Sequence, residues 1–394
     1  MMNKNTILFG LFSVIFLFWS CFNLKSVDEE IDYTIKLKWY KSHEQNTLER
    51  FENGMKWAFT NLGAALPLGS WQKSTTWLDD KILEINIEHL GFNDNALYQL
   101  GRLQKIIKER DGYTYNGFID AGRYLMLTIG SSAHYYAITD VDRQVEHFNK
   151  RFEFEAETMG FANQESVVSL TDRVVVMSDF NQTIESIAFI GYEGEGNIWS
   201  CEADAYKPNA FETIDVMPNG KLRYGIYDAD GKLVASSDPN HTIAGKVASC
   251  MWCHEGILSI GFLAETQVDC RLNPTVFDEK IKVRNSYLRA VKDTISIDLD
   301  YSDKQMHEQM ELIYSSFLLP SAERLSNEWG FSLDSVGAIL GELELVENEE
   351  YQQLPMGYNR KLVDAVSPIP VIDVPESARL VKGDELDWLS YLSD

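Results

Sequence analysis

The chain has 394 residues, 45% of them hydrophobic and 12% aromatic, which is enough apolar material for two or three packed domains and excludes a disordered polar polymer. Sixty acidic residues against 35 basic ones leave a net charge of −25, so no basic stripe is on hand to neutralise a phosphate backbone, and nucleic acid is not expected as a partner. The same negative field suits a cationic partner such as a basic electron carrier, and equally a plainly solvated surface.

At the N-terminus, Lys4 is followed by a continuous apolar run from Ile7 to Trp19 and then by Ser20 and Cys21. The run is too short to span a bilayer comfortably and reads as the apolar segment of a signal peptide over residues 1–20. Phe18-Trp19-Ser20-Cys21 resembles a bacterial lipobox, in which a small residue precedes a cysteine that becomes lipidated and N-terminal after cleavage. Phe18 and Trp19 depart from that pattern, which prefers Leu and a small residue there. The resemblance implies lipidation at Cys21, a polar tether over 21–32, and attachment to the membrane through the N-terminal lipid; a simple secretory signal or an uncleaved anchor is the alternative. Asp28-Glu29-Glu30 points to the bacterial outer membrane, on its periplasmic or its surface face. Export leaves Cys201, Cys250, Cys253 and Cys270 in an oxidising compartment, where disulfides form and persist.

Residues 33–135 read as an α+β, helix-rich region. Thr34–Trp39 predicts a short strand, and Leu48, Phe51, Met55, Phe59 and Leu62 recur at helical spacing up to Gly63, a natural helix terminator. Leu83, Ile85 and Ile87 alternate with polar residues, as a half-buried strand does. Asn93 or Asp94 can cap a helix through Ile107, and Asp120 another that ends near Gly130.

From Tyr136 to about residue 245 the texture predicts β structure. Val167–Leu170, Arg173–Met177 and Ser186–Tyr192 are short β-branched runs. Phe211–Met217, the Pro218-Asn219-Gly220 turn, Leu222–Tyr227, the Asp230-Gly231 turn and Leu233–Ala235 form an antiparallel meander. Asp228–Gly231 lacks the downstream ligands of a calcium loop and reads as a hairpin turn. Residues 246–363 return to helical spacing, with Met306, Met310, Ile313 and Phe317 on one face and a helical hairpin of Ala322–Trp329 and Leu333–Leu340 joined through Gly330. Residues 364–394 read as an extended tail. The fold class expected is α+β: a helix-rich N-terminal part, a central antiparallel β-meander and a helical C-terminal part.

The chemistry concentrates in Cys250-Met251-Trp252-Cys253-His254. Two thiols at this spacing can both reach the vinyl groups of one porphyrin while the adjacent imidazole ligates its iron. The segment resembles the attachment site of c-type cytochromes, a match of five residues. It implies one covalent haem c on Cys250 and Cys253 with His254 as the metal ligand, in electron transfer or haem-based sensing. Departures are evident: a turn at Ser236–Asn240 stands where the family has an amphipathic helix, and Glu255-Gly256-Ile257-Leu258 replaces the family's usual continuation. Met306, His307 and Met310 are candidates for a second metal ligand, with Met356 weaker; core packing is the competing reading for the methionines.

Other fates of the cysteines stay open. Cys250 and Cys253 can form a redox disulfide, though the βαβ setting of a thioredoxin-like site is missing. Cys201, Cys250, Cys253, His254 and Cys270 can supply zinc ligands at irregular spacing, and Cys201 can pair with Cys270. These fates belong to the alternative function, a non-enzymatic surface lipoprotein that acts as a binding or assembly subunit of an outer-membrane complex. Gly130–Tyr136 brings Ser131, Ser132 and His134 together without a nucleophile elbow, and reads as a helix end entering a strand. No catalytic residue is assigned, and whether the protein is an enzyme is left open.

Overall fold

The computed structural model describes residues 31–152, 160–164, 173–177, 188–196, 206–240, 242, 244–254, 282, 304–348, 351–379 and 386–389. The lipobox-like segment with Cys21, the run Val167–Leu170, and Cys201 and Cys270 lie outside these residues.

Strand β1 (Thr34–Lys38) buries Ile35 and Leu37 and leaves the residues between them half exposed, the period-2 pattern that fixes which face meets the core. Helix α1 (Leu48–Asn61) starts where the Thr47 hydroxyl accepts the Arg50 amide, buries Phe51, Met55, Trp57, Ala58 and Phe59, and is followed by Gly63 at φ +102°. Next come α2 (Ser70–Ser74), β2 (Thr75–Trp77) and β3 (Ile82–Asn86). Helix α3 (Asp94–Glu109) is capped by Asn93, and α4 (Asp111–Asn116) leads into β4 (Ile119–Asp120). The sheet order is β2-β3-β1-β4, with β1 antiparallel to β3 and parallel to β4. Asp120 ends β4 and caps α5 (Ala121–Thr128) by accepting the Gly122 and Arg123 amides.

One expectation is corrected here. Residues after Tyr136 do not turn to β; they continue through α6 (Ser132–Thr139) and α7 (Val145–Arg151). Every residue of α6 is buried, so the segment shows neither a helical nor a strand period, and its aromatic and β-branched residues imitate a strand. The Ser131 hydroxyl caps α6, so Gly130–Tyr136 is a helix start rather than a strand entry.

The central sheet is an antiparallel meander, as expected, but Leu233–Ala235, expected as a strand of it, makes only an isolated bridge from Leu233 to Tyr227. Strands β5 (Gly160–Gln164), β6 (Arg173–Met177), β7 (Phe189–Gly196), β8 (Tyr206–Val216) and β9 (Leu222–Asp228) pair antiparallel in sequence order. The β8–β9 turn has Gly220 at φ +83°, and the Asn219 side chain donates to the Thr60 and Ala64 carbonyls at 2.8 Å each. The hairpin thus ties itself to backbone carbonyls at and just beyond the end of α1. Beyond it lie α8 (Val247–His254), α9 (Lys304–Leu318), the helical hairpin α10 (Ala322–Trp329) and α11 (Leu333–Leu340), β10 (Leu345–Val346), β11 (Gly357–Tyr358) and α12 (Arg360–Ala365). One hydrophobic core runs from Ile35 to Leu389, so the segments 33–135, 136–245 and 246–363 and the tail all contribute to it. The architecture is α+β, with helices on either side of the meander in sequence.

Helix α9 crosses α1 and α5, and both crossings depend on glycine. A Cβ on Gly54 would stand 2.8 Å from Ile313 Cδ1 and 2.9 Å from the Gln309 carbonyl oxygen. Alanine gains about 1 kcal/mol of helix propensity over glycine, but overpacking costs about 1–3 kcal/mol, and the Gln309 backbone has no side-chain freedom with which to yield. Gly54→Ala is therefore expected to destabilise, which chemical denaturation checks; a stabilised variant would contradict so tight a crossing.

A buried lattice of charge closes the far side. Arg123 makes a two-pronged ion pair with Asp364 at 2.8 and 2.9 Å, Arg360 makes another with Glu328 at 2.8 and 3.0 Å, and Arg324 pairs with Asp120. The Arg123 and Arg360 guanidinium groups also lie over the Phe317 ring, 4.8 and 4.2 Å from its centre. Burial alone would push the Glu328 carboxyl up, but Arg360, aided by Arg324 and Arg123, more than offsets this and holds it below the usual carboxylate range. A carboxyl depressed on folding adds stability that is complete above its unfolded pKa of about 4.3 and fades as the pH falls through that value toward the folded one. Glu328→Gln is expected to lower stability at neutral pH and to flatten the acid limb below about pH 5. Denaturation at stepped pH checks this, and a limb as steep as the parent's counts against it.

Candidate functional site: the helix that carries the two thiols

The approach to α8 is a closed loop. The Ser237 amide and hydroxyl donate to the Gly245 carbonyl at 2.9 and 3.0 Å, and the Gly245 amide returns a bond of 2.9 Å to the same hydroxyl. Val247, Ala248 and Met251 of α8 are buried in the main core. At about 100° per residue these three span one arc, Cys250 and His254 lie beyond one edge of it, and Ser249 and Trp252 beyond the other. Cys250 is half-buried and packs against the core. The His254 imidazole stacks on Tyr224 of β9, with ring centres 5.9 Å apart and planes 22° apart. Cys250 and His254 thus share one helical flank, one turn long, with an aromatic ring behind the imidazole. That donor set fits covalent attachment of a porphyrin with an axial imidazole.

The opposite flank meets a polar network absent from the sequence reading. The Arg379 guanidinium lies 3.7 Å from the centre of the Trp252 ring and donates to Glu311 Oε2 at 2.8 Å and to the Tyr314 hydroxyl at 3.2 Å. Glu311, fully buried on α9, also accepts from the Tyr314 hydroxyl at 2.9 Å and from the Tyr351 hydroxyl. Burial and the neighbouring Glu311 carboxylate push both phenols well above their ordinary range, so both stay protonated donors. The Tyr351 ring meets Trp252 edge to face at 5.7 Å.

His307 belongs to this network. The Trp57 indole, a donor only, gives its N–H to His307 Nδ1 at 3.1 Å, and Nε2 stands 3.2 Å from Glu311 Oε1. Nδ1 is therefore an acceptor, and the ring is buried inside the protein. His307 meets α8 at Trp252, with ring centres 6.2 Å apart. Met310 is buried against α1 with its sulfur 3.9 Å from the Asn61 amide nitrogen, Met306 is buried in the same core, and Met356 is exposed. Core packing, the competing reading, describes where Met306 and Met310 sit.

His134 is likewise committed: Nδ1 donates to the Leu127 carbonyl at 2.6 Å and Nε2 accepts the Trp388 amide at 3.0 Å, while the Ser131 hydroxyl donates to the Leu386 carbonyl. These residues fasten the C-terminal tail. The Cys201–Cys270 pairing and the larger zinc set involve cysteines outside the described residues. Among the described residues no helix is long and apolar enough to cross a membrane.

Compared with known proteins, the chain matches no family model, no curated protein and no solved structure.

Proposed function

We propose that the protein is a lipid-anchored bacterial envelope protein that carries one covalent c-type haem on Cys250 and Cys253, with His254 on the iron, and that it serves electron transfer or haem-based sensing. The observation that supports this is the shared flank of α8, with Cys250 and His254 one helical turn apart and the imidazole stacked on Tyr224. When bound, the haem supplies a one-electron couple and an iron site for ligands. The protein's own part is positional. Cys250 and Cys253 would hold the group through thioether bonds, each an addition of S–H across one vinyl group without net oxidation. Tyr224 limits the tilt of the His254 ring, and Val247, Ala248 and Met251 anchor the helix below. Cys21 would hold the body at the outer membrane, and the net charge of −25 suits a basic redox partner.

The test is a haemochrome spectrum with intact mass on protein produced alongside haem-maturation machinery. A coloured chain heavier by one haem is expected; a colourless chain of unmodified mass overturns the reading.

A second reading, a surface lipoprotein that binds or assembles other proteins with its cysteines in disulfides or on zinc, draws on the exposed apolar residues Phe331, Leu333, Leu345 and Val346. A non-reducing peptide map and metal analysis separate the two, since a haem-bearing Cys250 peptide is incompatible with the second.

A further inference from the structure

We infer that Arg379, on the C-terminal tail, is the positioning residue of the thiol-bearing helix and sets the rotation of α8 that the proposed haem attachment requires. The inference rests on the haem reading for its functional meaning, and on geometry for its physical content.

Eight residues are too few for a helix to hold its own shape or orientation in water, so α8 takes both from what it touches. The core grips one arc of it through Val247, Ala248 and Met251. Apolar burial is non-directional and leaves the helix able to roll on that arc. Arg379 supplies the directional constraint, and does so twice. Its carbonyl accepts the Lys246 amide at 2.9 Å and the Ser249 hydroxyl at 3.4 Å, at the N-terminal end of α8. Its guanidinium then covers Trp252 nearer the other end. Ser249 and Trp252 lie on the same flank, so one residue fixes that side and holds the rest of the helix, with Cys250 and His254, at a set angle. The two thioether bonds go to fixed points on one rigid porphyrin, and a roll of the helix moves both thiols together off those points.

The choice of arginine is physical. A planar guanidinium can stack on the indole and, in the same position, donate to Glu311 Oε2 and to the Tyr314 hydroxyl. A lysine keeps the charge opposite Glu311 but gives up the stacked plane. Trp252, the residue between the two motif cysteines that haem chemistry leaves unassigned, becomes the handle by which the tail holds the helix.

The test uses the full chain produced with haem-maturation machinery, comparing the parent with Arg379→Ala and Arg379→Lys. Arg379→Ala is expected to keep its far-UV circular dichroism yet carry roughly tenfold less haem per chain, the scale of loss typical when a group behind a metal ligand is removed. The haem it does carry should show a shifted Soret band. Arg379→Lys should fall between it and the parent, which also keeps the test decisive should Arg379→Ala fail to accumulate. Parent-level haem and an unmoved Soret band in both arginine variants overturn the inference while leaving the haem reading intact. If the parent itself carries no haem, the functional reading falls, and the geometric claim is judged on reduced, haem-free protein. Alkylation of Cys250 should then be faster in Arg379→Ala than in the parent, and equal rates overturn the claim.

Discussion

On the proposed haem reading, replacing Cys250 and Cys253 together with serine is expected to abolish covalent haem, leaving a folded chain of unmodified mass. The two positions act through chemistry that serine lacks, since a hydroxyl does not add to a porphyrin vinyl group under these conditions. The single variants should differ from the double. With one thioether made, the second vinyl stays conjugated with the ring, and the haemochrome band should move to longer wavelength than the parent's. His254→Ala should keep the thioether bonds but lose the axial imidazole, which reads out as an altered absorption spectrum rather than an altered mass. His307→Ala should leave haem per chain near the parent value, because the ring is buried and the Trp57 indole already engages its Nδ1. Covalent haem persisting in the double serine variant would refute the attachment site.

The second large effect is expected at Glu311, and it is one of stability. Its two carboxylate oxygens take bonds from Tyr314, Tyr351 and Arg379 and face His307, all within the protein interior. Glu311→Ala leaves a largely buried guanidinium without its counter-charge, a loss of about 3–5 kcal/mol when one partner of a buried pair is removed. In a chain of this size that corresponds to a fall in Tm of roughly 4–6 °C. Glu311→Gln keeps an acceptor of the same shape and should cost less, the difference measuring the charge itself. Thermal unfolding followed by circular dichroism checks both, and an alanine variant that melts with the parent would mean the network contributes nothing net.

What could be read from the sequence was whatever has a local cause. Asn93 and Asp120 cap helices because their side chains reach amides two or three residues on, and that geometry is written into residue type and spacing. Gly63 and Gly220 mark a helix end and a hairpin turn because both positions need positive φ. The hairpin of Ala322–Trp329 and Leu333–Leu340 matches its predicted limits for the same reason, with capping Ser321 and Ser332 and with Gly330 in the left-handed region. Ser132–Thr139 was misread because a helix buried all round has no polar face to reveal its period. In the candidate site, Cys250, Cys253 and His254 were legible as a motif, whereas Glu311 and Arg379, 68 residues apart, leave no local trace of their contact. Trp252 was visible as a letter between two cysteines but carried no sign of what would cover it.

The tail has a bearing on how the chain is built. Trp388 bonds to His134 across 254 residues, Leu386 to Ser131 across 255, and Asp364 to Arg123 across 241. Contacts at such separation are slow to form, because closing the intervening chain costs entropy before any contact rewards it. Helices α5 and α6 precede Asp364, Leu386 and Trp388 in the chain and acquire these partners only once those residues have been made. Their docking is thus a late step in folding.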